Sequence, residues 1–271
     1  MTDELKEKIT WQNINSSKER EKILKGKIIA IEEEKVGGQI INCAIVDFRG
    51  IKVLIPAQEM IKEGKNDKKI IRNMMGSEIQ FVVLEIDRTA SKAVASRTKA
   101  MDKILDISLK KIEIGDKAYG KVVGTWRKYI RLYCLGTDFT IDAKDLEYGF
   151  VNDATKLYKN NDEIKVIVKE IDKEDKKIKI SIKDLIEDPF KNIRKDFTEG
   201  GEYLAKVTGY SDNGIYANIS QGIDTICSLP PWLDAPPLPG NKVIIKIYRI
   251  LPEKRRVYSS IIKILGGDDY E

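Results

Sequence analysis

At 271 residues the chain is too long for one small domain and sufficient for two or three, each with a core of its own. Charged residues make up 34% and hydrophobic ones 42%, which excludes wholesale disorder and leaves enough apolar side chains to fill cores. No apolar run approaches the roughly 18 to 20 residues that span a bilayer, and the amino terminus MTDELKEKIT is charged where a signal peptide would be apolar. The expectation is a cytoplasmic protein without membrane contact. Net charge is only +5, so a nucleic-acid surface would have to arise from local clusters of Lys and Arg. The absence of histidine removes Ser-His-Asp and Cys-His arrangements, His-based metal sites and an imidazole base. There is no GxxxxGK[ST] loop, and the acidic runs Glu32 to Glu34 and Asp172 to Asp175 fall in apparent turns, where solvation accounts for them. No enzyme activity, cofactor or metal is expected. Cys43, Cys134 and Cys227 are far apart and odd in number, and read as buried, reduced thiols.

Residues 1–22 form an arm, a short helix or a mobile segment in which Trp11 alone hints at docking. Three similar alternating runs then follow: LKGKIIAI from Leu24, AYGKVVGT from Ala118 and YLAKVTGY from Tyr203. Their equivalent positions Gly26, Gly120 and Ala205 lie 94 and 85 residues apart, spacing that suits one five-stranded barrel per repeat. Each unit runs through two β-rich segments, a third, a polar stretch and a closing hairpin: EIQFVVLEID with KAVASRTK, EIKVIVKEID with KKIKISIKDL, and KVIIKIYRIL with RRVYSSIIK. The units are placed at 23–104, 113–186 and 198–265, with an acidic tail at 266–271. The class is therefore all-β: three tandem barrels joined by short helical or irregular connections, one rod or three beads, and a monomer. Alternation sends Ile130, Leu132 and Cys134 inward, and leaves Tyr129, Arg131 and Tyr133 outward beside Trp126, Arg127 and Lys128. These six either form an open surface of three aromatics and three cations or cover a neighbouring barrel or the outside of their own. In the third unit Ile215, Ala217 and Ile219 face inward, and Tyr216, Asn218 and Ser220 outward; Tyr203 and Tyr210 read as packing. Between its third and fourth strands, SLPPWLDAPPLPG excludes a regular helix, with Trp232 capping the barrel or standing as a surface anchor.

This order of segments resembles the S1 domain, the oligonucleotide-binding (OB-fold) barrel of ribosomal protein S1. The resemblance rests on the Gly-containing first strands, the second strand NGIYANIS and the closing EIDKEDKKIKISIKDL, and covers about four fifths of the chain. It implies single-stranded RNA lying across strands two and three, with aromatics on bases and cations on phosphates. Tyr216 takes the family's second-strand aromatic position, Ser228 stands where members often carry histidine, and Arg255, Arg256 and Tyr258 lie on the closing hairpin with Lys177 and Lys179 at the matching place in the second unit. The first unit departs most: QIINCAIV has no aromatic, Val94 replaces Lys179, and only Phe48, Arg49, Lys52 and Arg97 form a weaker patch. A structural or protein-contacting module is expected there. The function implied is binding of single-stranded RNA with little sequence preference, in translation, RNA turnover or their regulation, with the ribosome or RNA-processing proteins as further partners. Single-stranded DNA binding and a protein-interaction scaffold remain open beside it.

Overall fold

The structure is a computed structural model that describes residues 3–62, 67–149, 151–211, 214–228 and 236–266. The chain divides into two compact units, one of residues 1–141 and 153–181, the other of residues 142–152 and 182–271.

The first unit opens with α1 (Asp3–Arg20), followed by β1 (Leu24–Val36), β2 (Gln39–Phe48) and β3 (Ile51–Pro56). Short helices α2 (Ala57–Met60) and α3 (Asp67–Asn73) lead to β4 (Glu78–Asp87) and β5 (Lys92–Ser96). The five strands close into a barrel of order β1-β2-β3-β5-β4, the last seam being the parallel pair β3/β5 from Lys52↔Lys92 to Leu54↔Val94. The arm is a docked helix. Ile14 is fully buried, and the Ser17 hydroxyl accepts the Val83 N–H at 2.9 Å. Trp11 packs against the core with the Arg88 guanidinium 5.7 Å from its ring centre.

After the barrel the chain turns helical sooner than its sequence suggests. Ser96 ends β5 and caps α4 (Arg97–Leu109), its hydroxyl accepting the Lys99 N–H at 2.9 Å. Arg97-Thr98-Lys99, expected as the end of a strand, is therefore the first turn of a helix. α4 leads into β6 (Lys117–Thr125), β7 (Tyr129–Cys134), β8 (Thr137–Asp142), β9 (Glu163–Asp172) and β10 (Lys177–Ser181). These form a five-stranded sheet of order β10-β9-β6-β7-β8. The neighbours are those of the first barrel, but β8 and β10 do not pair, so the expected closed barrel is open along that seam.

The two sheets of this unit share a core, since Val123 of β6 and Tyr133 of β7 pack with the first barrel's apolar residues, while Leu105 and Leu109 of α4 pack with Val168 and Ile178. Polar side chains add to the seam. Ser77 donates to the Val123 carbonyl at 3.0 Å, Asn160 to the carbonyls of Asn73 and Met75 at 2.9 and 3.0 Å, and Asn161 to that of Gly76 at 2.9 Å. At the turn between β7 and β8, Gly136 has φ +83°, and an added Cβ would lie 2.3 Å from the Leu105 nitrogen and 2.6 Å from the Met101 carbonyl oxygen. Only glycine admits the helix backbone this close. The first two repeats are thus one packed body, with a helix where the linker was expected.

The second unit contains α5 (Ile193–Asp196) and the strands β11 (Glu202–Ser211), β12 (Gly214–Ser220), β13 (Ile223–Ser228), β14 (Lys242–Leu251) and β15 (Arg256–Gly266). They close in the order β11-β12-β13-β15-β14 through the parallel pair β13/β15. Pro236, Pro237 and Pro239 lie in irregular backbone, with the Tyr210 hydroxyl donating to the Pro237 carbonyl. Pro230, Pro231, Trp232 and the tail beyond Gly266 lie outside the described residues. Tyr203 meets the Phe197 ring edge at 5.0 Å and accepts the Thr198 N–H at 2.8 Å, a packing role.

The repeat is visible in local geometry. Each first strand carries a bulge two residues beyond its marker position, at Ile28/Ala30, Val122/Gly124 and Val207/Gly209, which sharpens strand curvature where the sheet must bend. A Cβ on Gly26 would sit 2.4 Å from Val46, and one on Gly120 2.7 Å from Leu132. In the third barrel the cross-strand position in the same register is Ala217, and there the first strand carries Ala205.

Candidate nucleic-acid interface

Strand register defines a corresponding transverse row on the outside of each sheet, and the three rows differ in chemistry. In the third barrel it runs Gly209, Tyr216, Ile226, Tyr258, Arg249 across β11, β12, β13, β15 and β14. Tyr248, 55% exposed, stacks on Tyr258 with ring centres 6.3 Å apart. The exposed Arg256 donates to the Tyr258 hydroxyl at 3.3 Å. Aromatic rings thus lie beside guanidinium groups at the β15–β14 side of the barrel, a surface that can stack bases and attract phosphates.

The other third-barrel candidates have structural duties. Asn218 spends its amide on the Ser220 and Ile223 carbonyls and on Asp224 Oδ1, at 2.9, 3.3 and 3.0 Å, and so braces the β12–β13 hairpin. Ser228 is exposed at the end of β13 and donates to the Ser259 carbonyl at 3.4 Å. Arg255, in left-handed backbone with φ 52°, lies between the Tyr148 and Phe190 rings at 4.5 and 4.9 Å from their centres, and pairs with Asp188 at 2.5 Å. Burial is the largest single influence and works against the Asp188 charge, but the Arg255 and Phe190 N–H hydrogen bonds, with the charges of Arg255 and Lys191, together outweigh it and hold that carboxyl below its usual range. Arg255 thus braces these rings within the protein while its side chain stays 38% exposed.

In the second sheet the corresponding row begins Gly124, Arg131 and ends Lys179, Glu170. The six-residue cluster expected there divides in two. Trp126 and Tyr129 stack on each other, 4.7 Å between ring centres and 16° between planes, across a turn closed by the Trp126 N–H to the Tyr129 carbonyl at 2.9 Å. Arg127 and Lys128 are exposed at its tip. Tyr133 faces away from its own core as alternation requires, but the first barrel covers it. Its hydroxyl donates to Gln80 Oε1 at 2.7 Å, the Arg97 guanidinium lies 5.4 Å from its ring centre, and burial pushes its pKa far up. The alternative that an outward aromatic covers a neighbouring barrel holds for Tyr133. Arg131 lies 3.5 Å from Asp138 and is only 14% exposed, so it belongs to the same seam. Lys177 and Lys179 are exposed and paired with Asp175 and Glu170 at 2.8 and 2.6 Å.

The first barrel's row, Ala30, Ile45, Leu54, Val94, Glu85, is aliphatic up to its acidic end. Ile45 and Leu54 are buried with Cys43 under Val36 and Ile41 of the long β1–β2 hairpin. In the weaker patch there, burial corrects Phe48 and Arg97, while Arg49 is exposed and Lys52 partly so. Phe48 is a core residue set edge-on to Phe81, Arg49 lies 5.6 Å from the Phe48 ring centre, and Lys52 bridges Glu32 and Glu34 at 2.5 and 2.6 Å. Arg97 is 1% exposed and bidentate to Asp138 at 2.6 and 2.8 Å, with the Met60 carbonyl accepting at 3.1 Å. Burial disfavours its charge, but Asp138 more than compensates and raises its pKa.

Sequence reasoning missed Tyr248, although the inward parity of Val243, Ile245 and Ile247 leaves it outside. It also missed Tyr148, which sits in irregular backbone with no periodicity to expose it.

Comparison with known proteins finds no matching family model. Curated relatives do match. The small ribosomal subunit protein bS1 of Rickettsia conorii is 26% identical over 94% of this chain and 48% of its own length. That of Staphylococcus aureus is also 26% identical, over 92% of this chain and 65% of its own. A 4-hydroxy-3-methylbut-2-enyl diphosphate reductase of Clostridium acetobutylicum is 24% identical over 87% of this chain and 38% of its own length. The chain therefore spans less than two thirds of the length of these relatives, 38% to 65%.

Proposed function

We propose that the chain, ribosomal protein S1-like and built of S1-type OB-fold domains in tandem, binds single-stranded RNA with little sequence preference in the cytoplasm, serving translation, RNA turnover or their regulation. The observation that carries this reading is the third barrel's row with Tyr216, Tyr258 and Arg249, beside which stand Tyr248 and Arg256. Stacking tolerates any base, which accounts for low sequence preference, while the arginines supply a salt-sensitive attraction. The Trp126–Tyr129 stack with Arg127 and Lys128 is a second contact point. The first barrel, with its aliphatic row covered, serves as structural support for the second. Catalysis has no part in the proposal, because a chain without histidine lacks an imidazole base and the named reductase extends far beyond the matched region.

Fluorescence anisotropy with labelled single-stranded RNA, single-stranded DNA and duplex RNA over a salt series tests this. Wild type should prefer single-stranded RNA, and the Tyr216→Ala, Tyr258→Ala double variant should bind at least about tenfold more weakly, given about 1–3 kcal/mol per stacked base. Arg256→Ala should flatten the plot of log K against log salt by about 0.7, one phosphate contact's worth on a single strand. Equal affinity of wild type and double variant would refute the row as the binding face. Tighter DNA binding would reassign the ligand.

A further inference from the structure

A crevice of about 230 Å³ opens in the second unit at the Tyr216 end of the aromatic row. Tyr216, Asp224 and Ile226 of the barrel form one wall, Tyr148 and Phe190 the other, and Lys254 and Arg256 stand at its mouth. The volume lies below the roughly 300 Å³ at which drug-sized ligand pockets begin, so it suits a fragment such as a single base. Tyr216 and Ile226 belong to both the row and the crevice, so a strand crossing the barrel reaches the crevice without leaving the surface.

The far wall is braced. Arg255 is held between Tyr148 and Phe190 and anchored to Asp188. At the β12–β13 turn, Gly222 has φ +77° and brings the hairpin so near that an added Cβ would be 3.0 Å from both Pro189 and Tyr148. A wall fixed in advance removes the cost of ordering it on binding. Asp224 adds a carboxylate to the barrel wall of the crevice, chemistry suited to base N–H groups.

We propose that this crevice takes one base of a bound single strand, with the adjacent phosphate held by Lys254 and Arg256. The row then acts as a stacking track and the crevice as the point that sets the strand's register. The proposal rests on the reading of the third barrel as an RNA-binding face.

The test uses the full chain and RNA nonamers of uridine carrying a single 2-aminopurine at each position in turn. Insertion should give fluorescence quenching concentrated at one position, and Tyr148→Leu should remove that maximum and weaken binding about five- to hundred-fold. Thermal melting checks that Tyr148→Leu folds. If it does not, Lys254→Glu, an exposed change at the mouth, decides, with affinity lowered at least about threefold and the maximum shifted or lost. Uniform quenching, with both variants at wild-type affinity while Tyr258→Ala binds weakly, would overturn the crevice and leave the aromatic row standing. No binding of any nonamer by wild type would overturn both.

Discussion

Gly136 and Gly50 occupy the same turn in two repeats, at φ +83° and +89°, yet their surroundings differ. A Cβ on Gly50 would meet nothing within 4 Å, whereas one on Gly136 would strike the α4 backbone. Gly50→Ala should therefore cost only the left-handed penalty of about 1 kcal/mol, and Gly136→Ala about 3 kcal/mol once overpacking is added. Urea unfolding of the two variants separates the terms, and equal losses would show that helix contact does not set the requirement. Tyr133 illustrates the limit of reading residues from sequence. Period-two alternation correctly turned it away from its own core, but alternation says nothing of what stands opposite. Tyr216 and Tyr133 look alike in a strand, and only tertiary packing shows that Tyr133 lies in a seam.

At the scale of elements, the strands were legible because inward residues such as Ile130, Leu132, Ile215 and Ala217 alternate cleanly. The helices were legible only as one of two options, a short helix or a mobile arm for residues 1–22 and helical or irregular connections between the units. The buried face of α1 is Thr10, Ile14 and Ser17, two of them polar, so it carries no apolar stripe to announce docking. α4 begins within a segment that continues the preceding strand's composition, and its first residue, Arg97, belongs by type to the surface. What buries Arg97 is Asp138, on a strand of the next repeat. Asp138→Ala should destabilise by about 3–5 kcal/mol by stranding a buried charge, while the paired change Arg97→Met with Asp138→Asn should cost much less. Chemical denaturation of the two, read against wild type, tests whether the pair is a mutual requirement. Similar losses for both would locate the stability in packing around the guanidinium.

At the scale of the whole molecule, the repeat length and order of strands were readable, but the joining of the first two repeats into one body was not. Their seam is built from single side chains such as Gln80, Ser77, Asn160 and Asn161, which look like ordinary surface residues in a linear string. Variants retaining only Trp11, on the first barrel's helix, or only Trp126, beside the second sheet's first strand, should report the same urea midpoint, because the two repeats share a core. Separate midpoints would show that each repeat folds on its own.

The Arg97–Asp138 pair also bears on how the chain is made. Its partners are separated by 41 residues, so a ribosome finishes the first barrel well before it supplies the carboxylate that neutralises the charge at the barrel's edge. At about 5–20 residues per second, that interval is about 2–8 s. Throughout it the newborn barrel carries an arginine that must remain in water, and α4 cannot settle against its final neighbour. Translation therefore delivers the first repeat in an unfinished form and completes it only when three strands of the second have emerged, making the pair of repeats the smallest piece of this chain that matures together.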